Sequence, residues 1–292
     1  MIKQNLENLP NFLIVGAAKS GTTSLYRYLN QHSKIFLPSY KEPHFFVNKK
    51  VAGKINNYID NLDAYLKLFE NAENYKLRGE ASVFYLYYYD EAIKYILKTL
   101  GKKTKIIILL RNPIDRAYSA YKQVTSGIPD LMIDFESAIK NDYTKSPDIT
   151  PMFHLKEMGL YSDSVKAYMN SFDDVYVSLF DDFINQTEVE ISNIIDFLGI
   201  EREELNASTK YNTGRREWRN KSAAQLKIKN PRLKKVLQFL KINKFYKKVF
   251  TKKFNNMKPE VKYYLHRYYM DDINKLSHLL QTDLSHWTNN NK

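Results

Sequence analysis

Residues 16–24 read Gly16-Ala17-Ala18-Lys19-Ser20-Gly21-Thr22-Thr23-Ser24, placing two glycines, a lysine and four hydroxyl side chains in one short run. The run follows the apolar segment FLIVG at 12–16 and precedes residues 22–31, where Leu25, Tyr28 and Leu29 recur at helical spacing. A glycine-rich turn between a strand and a helix can wrap its backbone N–H groups around a phosphate, and the helix N-terminus favours the negative charge. Further along, the apolar run KIIILL at 105–110 ends in Arg111-Asn112-Pro113, followed by Asp115-Arg116-Ala117-Tyr118-Ser119. A cation at the end of a strand is a second point at which an anionic ligand can be held.

These residues need a scaffold. Segments 12–16, 105–110 and 175–180 are apolar enough to be strands buried on both faces, and 60–70, 90–100, 113–126, 134–141, 160–171 and 187–198 read as helices. Strands alternating with helices predict an α/β fold, a three-layer sandwich with a central parallel sheet flanked by helices. Asp90, Asp134 and Thr187 stand where helix N-caps belong, and Gly101 and Gly199 where helices stop. No repeat and no Gly/Ser or Pro-rich linker divides the chain, so residues 1–292 are expected to form one domain, with 220–292 a basic helical C-terminal extension of it. The phosphate loop is P-loop-like but departs from the Walker A pattern, because its lysine precedes the last glycine and Thr22 follows it. A kinase or other P-loop nucleotide enzyme would also want an acidic magnesium holder after a later strand, where this chain has Arg111.

Composition narrows the classes. The 292 residues include no cysteine, which excludes disulfides, thiolate nucleophiles and Cys-ligated zinc, and the six histidines lack metal-binding spacing, so no metal is expected. Hydrophobic residues make up 43%, enough for a sizeable core, yet no stretch approaches the roughly 18 apolar residues of a spanning helix. The N-terminal segment does not read as a signal peptide, and the expectation is a cytoplasmic protein. Net charge is +13, and residues 201–292 carry 22 Lys/Arg against 8 Asp/Glu. Residues 227–253 hold eleven Lys/Arg and no acid, interleaved with apolar residues at near-helical spacing. That segment is either a solvated basic face or a peripheral contact with an anionic membrane, at its inner face, or with an acidic polysaccharide. Nucleic acid is disfavoured as a partner, because no recognition motif accompanies the charge.

The Lys-Ser-Gly-Thr-Thr loop, together with a strand ending in Arg-Asn-Pro and the following Asp-Arg-Ala-Tyr-Ser, resembles the sulfotransferases that use 3′-phosphoadenosine 5′-phosphosulfate. Lys41-Glu42-Pro43-His44-Phe45-Phe46 and Gly79-Glu80-Ala81-Ser82 resemble acceptor-side motifs of the heparan-sulfate type. Gly159-Leu160-Tyr161, Phe197-Leu198-Gly199 and the closing Asp283-Leu284-Ser285-His286-Trp287 are similar to segments of bacterial members. The resemblance implies that Lys19 stabilises the leaving oxygen while Ser20, Gly21, Thr22, Thr23 and Ser24 cradle the 5′-phosphate. It also implies that Arg111, Ser119 and Arg215, in the turn Thr213-Gly214-Arg215, hold the 3′-phosphate. Glu42 would be the general base and His44 its rival, unless Glu42 is merely paired with Lys41 and His44 merely packed. Lys41, Glu80 and Ser82 would meet the acceptor, unless Glu80 and Ser82 merely cap a strand, and Tyr85 to Tyr89 would stack on sugar rings or belong to the core. The implied reaction moves a sulfuryl group to a hydroxyl, with an amine the lesser alternative, of a glycan or glycolipid, leaving 3′-phosphoadenosine 5′-phosphate and needing no metal. The remaining rival is a non-catalytic nucleotide-binding or membrane-adaptor protein.

Overall fold

Side chains that alternate in direction along the central strands sort the chain into three layers. The structure, a computed structural model, describes residues 8–207, 216–228, 230, 232, 233, 235, 239 and 243–288. Five parallel strands, β1 (Phe12–Gly16), β2 (Ile35–Phe36), β3 (Leu77–Ala81), β4 (Lys105–Leu110) and β5 (Val175–Leu179), form one sheet in the order β2-β3-β1-β4-β5. Around it and beyond it lie α1 (Thr22–Leu29), α2 (Asn48–Val51), α3 (Leu62–Lys67), α4 (Tyr89–Thr99), α5 (Pro113–Gly127), α6 (Phe135–Lys140), α7 (Ser162–Ser171), α8 (Phe180–Asn185), α9 (Thr187–Leu198), α10 (Lys221–Ile228), α11 (Asn243–Phe250) and α12 (Pro259–Leu280).

On one face of the sheet Phe12, Ile14, Ile107 and Leu109 pack with α1 and α9. On the other, Leu13, Val15, Ile106, Ile108 and Leu110 pack with α4, α5, α7 and α12. A period of two in a parallel strand therefore feeds two cores, which is the three-layer arrangement the apolar runs predict.

The edge of the sheet departs from expectation. β2 is two residues long, and β3 reads LRGEA, whose arginine and glutamate hide a strand from any reading based on apolar runs. Gly79 of β3 has no room for a side chain, because a Cβ there would lie 2.2 Å from the Phe12 ring. Asp134 caps α6 as expected, accepting from Ser137 N, and Gly199 ends α9 at φ 77°. Asp90 and Thr187 do not cap: each lies inside its helix, and Thr187 Oγ1 donates back to the Phe183 carbonyl. The helix expected at 60–70 is shortened to α3, where Asn61 caps by accepting from Ala64 N.

The C-terminal part is less uniform than its composition suggests. A two-stranded antiparallel pair, β6 (Arg216–Trp218) with β7 (Thr251–Lys253), interrupts the helices, so the described part of 227–253 is not one continuous basic helix. Lys227 is buried and lies over the rings of Trp218 and Tyr246. Val261, Leu265, Tyr269, Ile273 and Leu276 of α12 belong to the same core as β1, which ties residues 259–280 into the sheet domain.

Candidate active site

The loop after β1 turns because Lys19 and Gly21 adopt left-handed backbone, at φ 73° and 91°. At Gly21 a Cβ would also meet the Phe180 ring at 3.2 Å. Helix α1 then starts with no side chain capping it and no acid in its first turn, which leaves the N-terminal N–H groups without a side-chain acceptor and the helix dipole uncompensated. Lys19 Nζ donates to Gln123 Oε1 at 2.6 Å. Arg111, just past β4, donates to the Lys19 carbonyl at 3.2 Å and lies 4.6 Å over the Phe180 ring. Burial lowers its pKa from the ordinary arginine value, against the carboxylate of Asp115, and an arginine so shifted is still a cation.

A cavity of about 340 Å³ brings together Lys19, Gly21, Thr22, Thr23, Ser24, Arg111 and Ser119, closed on one side by Phe180, Phe183 and Ile184. Two cations, four side-chain hydroxyls and a helix N-terminus suit phosphate groups, and the apolar wall suits a planar base. Ser20 is the exception among the expected cradle residues, since its side chain is fully buried and its Oγ has no hydrogen-bond partner. Arg215 lies outside the described residues.

The second motif sits across the end of the sheet. Glu42 and His44 are both left-handed, at φ 63° and 49°, and Glu42 N donates to the carbonyl of Ala81 at 3.1 Å. Lys41 Nζ lies 2.7 Å from Glu42 Oε1, and His44 Nε2 lies 3.5 Å from Glu42 Oε2. Burial pushes the Glu42 carboxyl up, but the hydrogen bond from His44 and the Lys41 ammonium outweigh it and hold the pKa at about 2. The Glu42 side chain is 32% exposed and the His44 side chain 3%, with the imidazole stacked on Phe84 at 4.8 Å. Only the carboxylate of this pair is open to an incoming hydroxyl.

Glu80 and Ser82 are not cleft residues. Both are buried beneath the motif, with Glu80 accepting from Tyr85 Oη at 2.7 Å, Ser82 Oγ at 2.8 Å and Tyr65 Oη at 3.4 Å. Burial outweighs these hydrogen bonds and raises the Glu80 pKa to about 7. Tyr85 is core, and Tyr87 and Tyr89 line a separate hollow beside Glu157, so these tyrosines do not wall the Glu42 cleft, which the neighbouring Phe84 does line.

The cleft above Glu42, about 620 Å³, is lined by Lys41, Glu42, His44, Asn56, Asn57 and Gln123 among others. Thr23 lines both this cleft and the phosphate cavity. Lys19, on the phosphate side, is joined by its hydrogen bond to Gln123, on the cleft side. Gln123 escaped the sequence reading. The available signal was its position four residues after Ser119 on α5, which places both on one helix face.

A parallel sheet with a glycine-bearing loop after its central strand, and an exposed carboxylate across a shared wall, defines a P-loop-like α/β protein. The chain belongs to the sulfotransferase family: residues 9–279 match the sulfotransferase domain. It is similar to the membrane-associated sulfotransferase kil1 of Dictyostelium discoideum, 42% identical over 113 residues, 39% of this chain and 22% of that protein. It is also similar to human heparan sulfate glucosamine 3-O-sulfotransferase 3A1, 25% identical over 205 residues, 69% of this chain and 47% of the relative. The chain thus spans less than half the length of these relatives. Among solved structures, a sulfotransferase from Alicyclobacillus acidocaldarius superposes with a TM-score of 0.72 at 27% identity, covering 96% of this chain and 99% of that one.

Proposed function

We propose that the protein transfers a sulfuryl group from 3′-phosphoadenosine 5′-phosphosulfate to a hydroxyl of a glycan or glycolipid, releasing 3′-phosphoadenosine 5′-phosphate. The observation that carries this reading is the shared wall at Thr23 and Lys19–Gln123, which sets a phosphate cavity directly beside a cleft with an open carboxylate. When bound, the donor supplies an activated sulfuryl group. Lys19, Thr22, Thr23 and Ser24 hold the phosphate side, and Lys19 is the cation placed for the oxygen on which charge develops. Arg111 and Ser119 take the 3′-phosphate. Glu42 accepts the hydroxyl proton as the acceptor oxygen bonds to sulfur and the bond from sulfur to the 5′-phosphate oxygen breaks. His44, too buried to meet the acceptor, orients and charges Glu42.

The heparan sulfate named in the human relative supports a glycan acceptor, and the P-loop departure together with Arg111 after β4 disfavours a kinase. In its location the protein is cytoplasmic, touching an anionic membrane peripherally through residues 227–253. Supporting that contact, Phe239, Phe245 and Val249 are 85%, 68% and 43% exposed in a segment without an acid. Among the described residues no helix is long and apolar enough to cross a membrane.

The nucleotide half of the proposal is tested by thermal unfolding. 3′-Phosphoadenosine 5′-phosphate should raise Tm well above the shift given by ATP with magnesium, because ligands that bind only the native state stabilise it. Arg111→Ala should erase most of that difference. Equal shifts with the two nucleotides in the wild type would favour a kinase.

A further inference from the structure

The cleft above Glu42 carries its own information about what enters it. Among the described residues that line it the one cation is Lys41, which Glu42 engages at 2.7 Å, so the pair contributes no net charge. Lys19 and Arg111 face the phosphate cavity, where the donor's anionic groups neutralise them. The rest of the described wall offers the amides of Asn56, Asn57 and Gln123 and the hydroxyls of Thr23 and Thr150, beside apolar side chains such as Ile55 and Met152. An amide presents both a donor and an acceptor, which matches a sugar hydroxyl; toward a carboxylate or sulfate only its N–H can serve, and it brings no charge to neutralise the anion.

We infer that the acceptor is an uncharged polyhydroxyl compound, a neutral glycan or the neutral head of a glycolipid, and not a polyanionic chain. The inference rests on the sulfotransferase reading and sharpens its acceptor side. It is tested with donor carrying radioactive sulfur and two sets of acceptors: neutral oligosaccharides with alkyl glucosides, and heparan sulfate with chondroitin sulfate. The neutral set should show at least tenfold higher kcat/KM, with a KM that stays flat as salt rises. Asn56→Lys with Asn57→Lys should improve use of the polyanions in a salt-sensitive way. Wild-type preference for a polyanion, with a KM climbing steeply with salt, overturns the inference and leaves sulfuryl transfer standing. If 3′-phosphoadenosine 5′-phosphate also fails to shift Tm, both readings fall together.

A different observation carries a second inference. Both oxygens of the buried Glu80 carboxylate anchor hydroxyls, and two of these, Ser82 Oγ on Oε2 and Tyr85 Oη on Oε1, each receive one backbone N–H of the acceptor motif. Ser82 Oγ donates to Glu80 Oε2 and accepts from His44 N at 3.0 Å, while Tyr85 Oη donates to Glu80 Oε1 and accepts from Phe46 N at 3.4 Å. The two relays hold the backbone at and just past the left-handed residues Glu42 and His44, a conformation that persists only when its surroundings over-determine it. The geometry points to Glu80 as a positioning residue that fixes the aim of Glu42 through Ser82 and Tyr85.

Ser82→Ala cuts one relay with little change of volume and should lower kcat by roughly 10–100-fold, the scale of a small misplacement of a catalytic group. KM for the donor and the nucleotide-induced Tm shift should not change, and Ser82→Thr, which keeps the hydroxyl, should recover most of the rate. Tyr85→Phe should fall in kcat in the same way through the other relay. Wild-type kcat in folded Ser82→Ala and Tyr85→Phe overturns the assignment, as does a loss confined to donor KM.

Discussion

Glu42 and Glu80 sit a few side chains apart and are driven in opposite directions by their surroundings. Burial pushes both up, but Glu42 has His44 and Lys41 against its oxygens and settles at about 2, whereas Glu80 has neutral hydroxyls and settles at about 7. The open carboxylate is thus ionised at neutral pH. Glu42→Gln should lower turnover by about 10²–10⁴-fold, the usual worth of a general base, without altering donor affinity. Removing the cation beside Glu42 raises its pKa, so in Lys41→Met the acidic limb of the kcat/KM profile should move to higher pH. An unmoved limb would show that another group titrates there. The linkage to stability has opposite signs. Glu42 contributes stability above its unfolded pKa of about 4.5, lost as pH falls towards 2, whereas Glu80 costs stability as pH rises from about 4.5 to 7, because the folded state holds its proton longer. Tm of the wild type measured against Glu80→Gln should therefore decline across that upper window.

At the scale of elements, the site depends on how the loop after β1 and one face of α5 are set against each other. Gly21→Ala places a methyl group against Phe180 and forces a left-handed backbone on a residue with a Cβ. It should cost about 1 kcal/mol or more in unfolding free energy and weaken nucleotide binding, measured by denaturant titration and calorimetry. The parts of the site written contiguously were legible in the sequence: the loop at 16–24, the arginine ending β4, and the Lys41–Phe46 motif. The strand β3 was not, because the charges of LRGEA make sense only once Tyr65 and Tyr85, from other elements, supply hydroxyls to Glu80. For the same reason Glu80 and Ser82 read as acceptor contacts when they lie under the cleft floor. Gln123 was missed because its role comes from meeting Lys19 across the fold, a relation no local pattern carries.

Across the whole molecule, charge is segregated: residues 201–292 carry the basic excess while the first two hundred are near neutral. Exposed lysines act within roughly 8 Å at physiological salt, so a membrane contact through 227–253 must weaken as salt rises. Each lysine near an anionic bilayer is worth about 1 kcal/mol, and reversing Lys234, Lys235, Lys247 and Lys248 to Glu together should abolish salt-sensitive sedimentation with anionic liposomes while nucleotide binding persists. Wild-type protein that stays in solution with such liposomes at low salt would reduce the segment to a solvated face.

The central claim is that the shared wall at Thr23 and Lys19–Gln123 is where a sulfuryl group crosses from nucleotide to acceptor. It is tested most directly by incubating the enzyme with donor labelled on sulfur and a neutral oligosaccharide, and counting label in the acceptor against 3′-phosphoadenosine 5′-phosphate released. One label per nucleotide released, with the rate falling by orders of magnitude in Lys19→Ala and Glu42→Gln, is the predicted result. Release of nucleotide without label in any acceptor, or transfer unchanged in both variants, would contradict it.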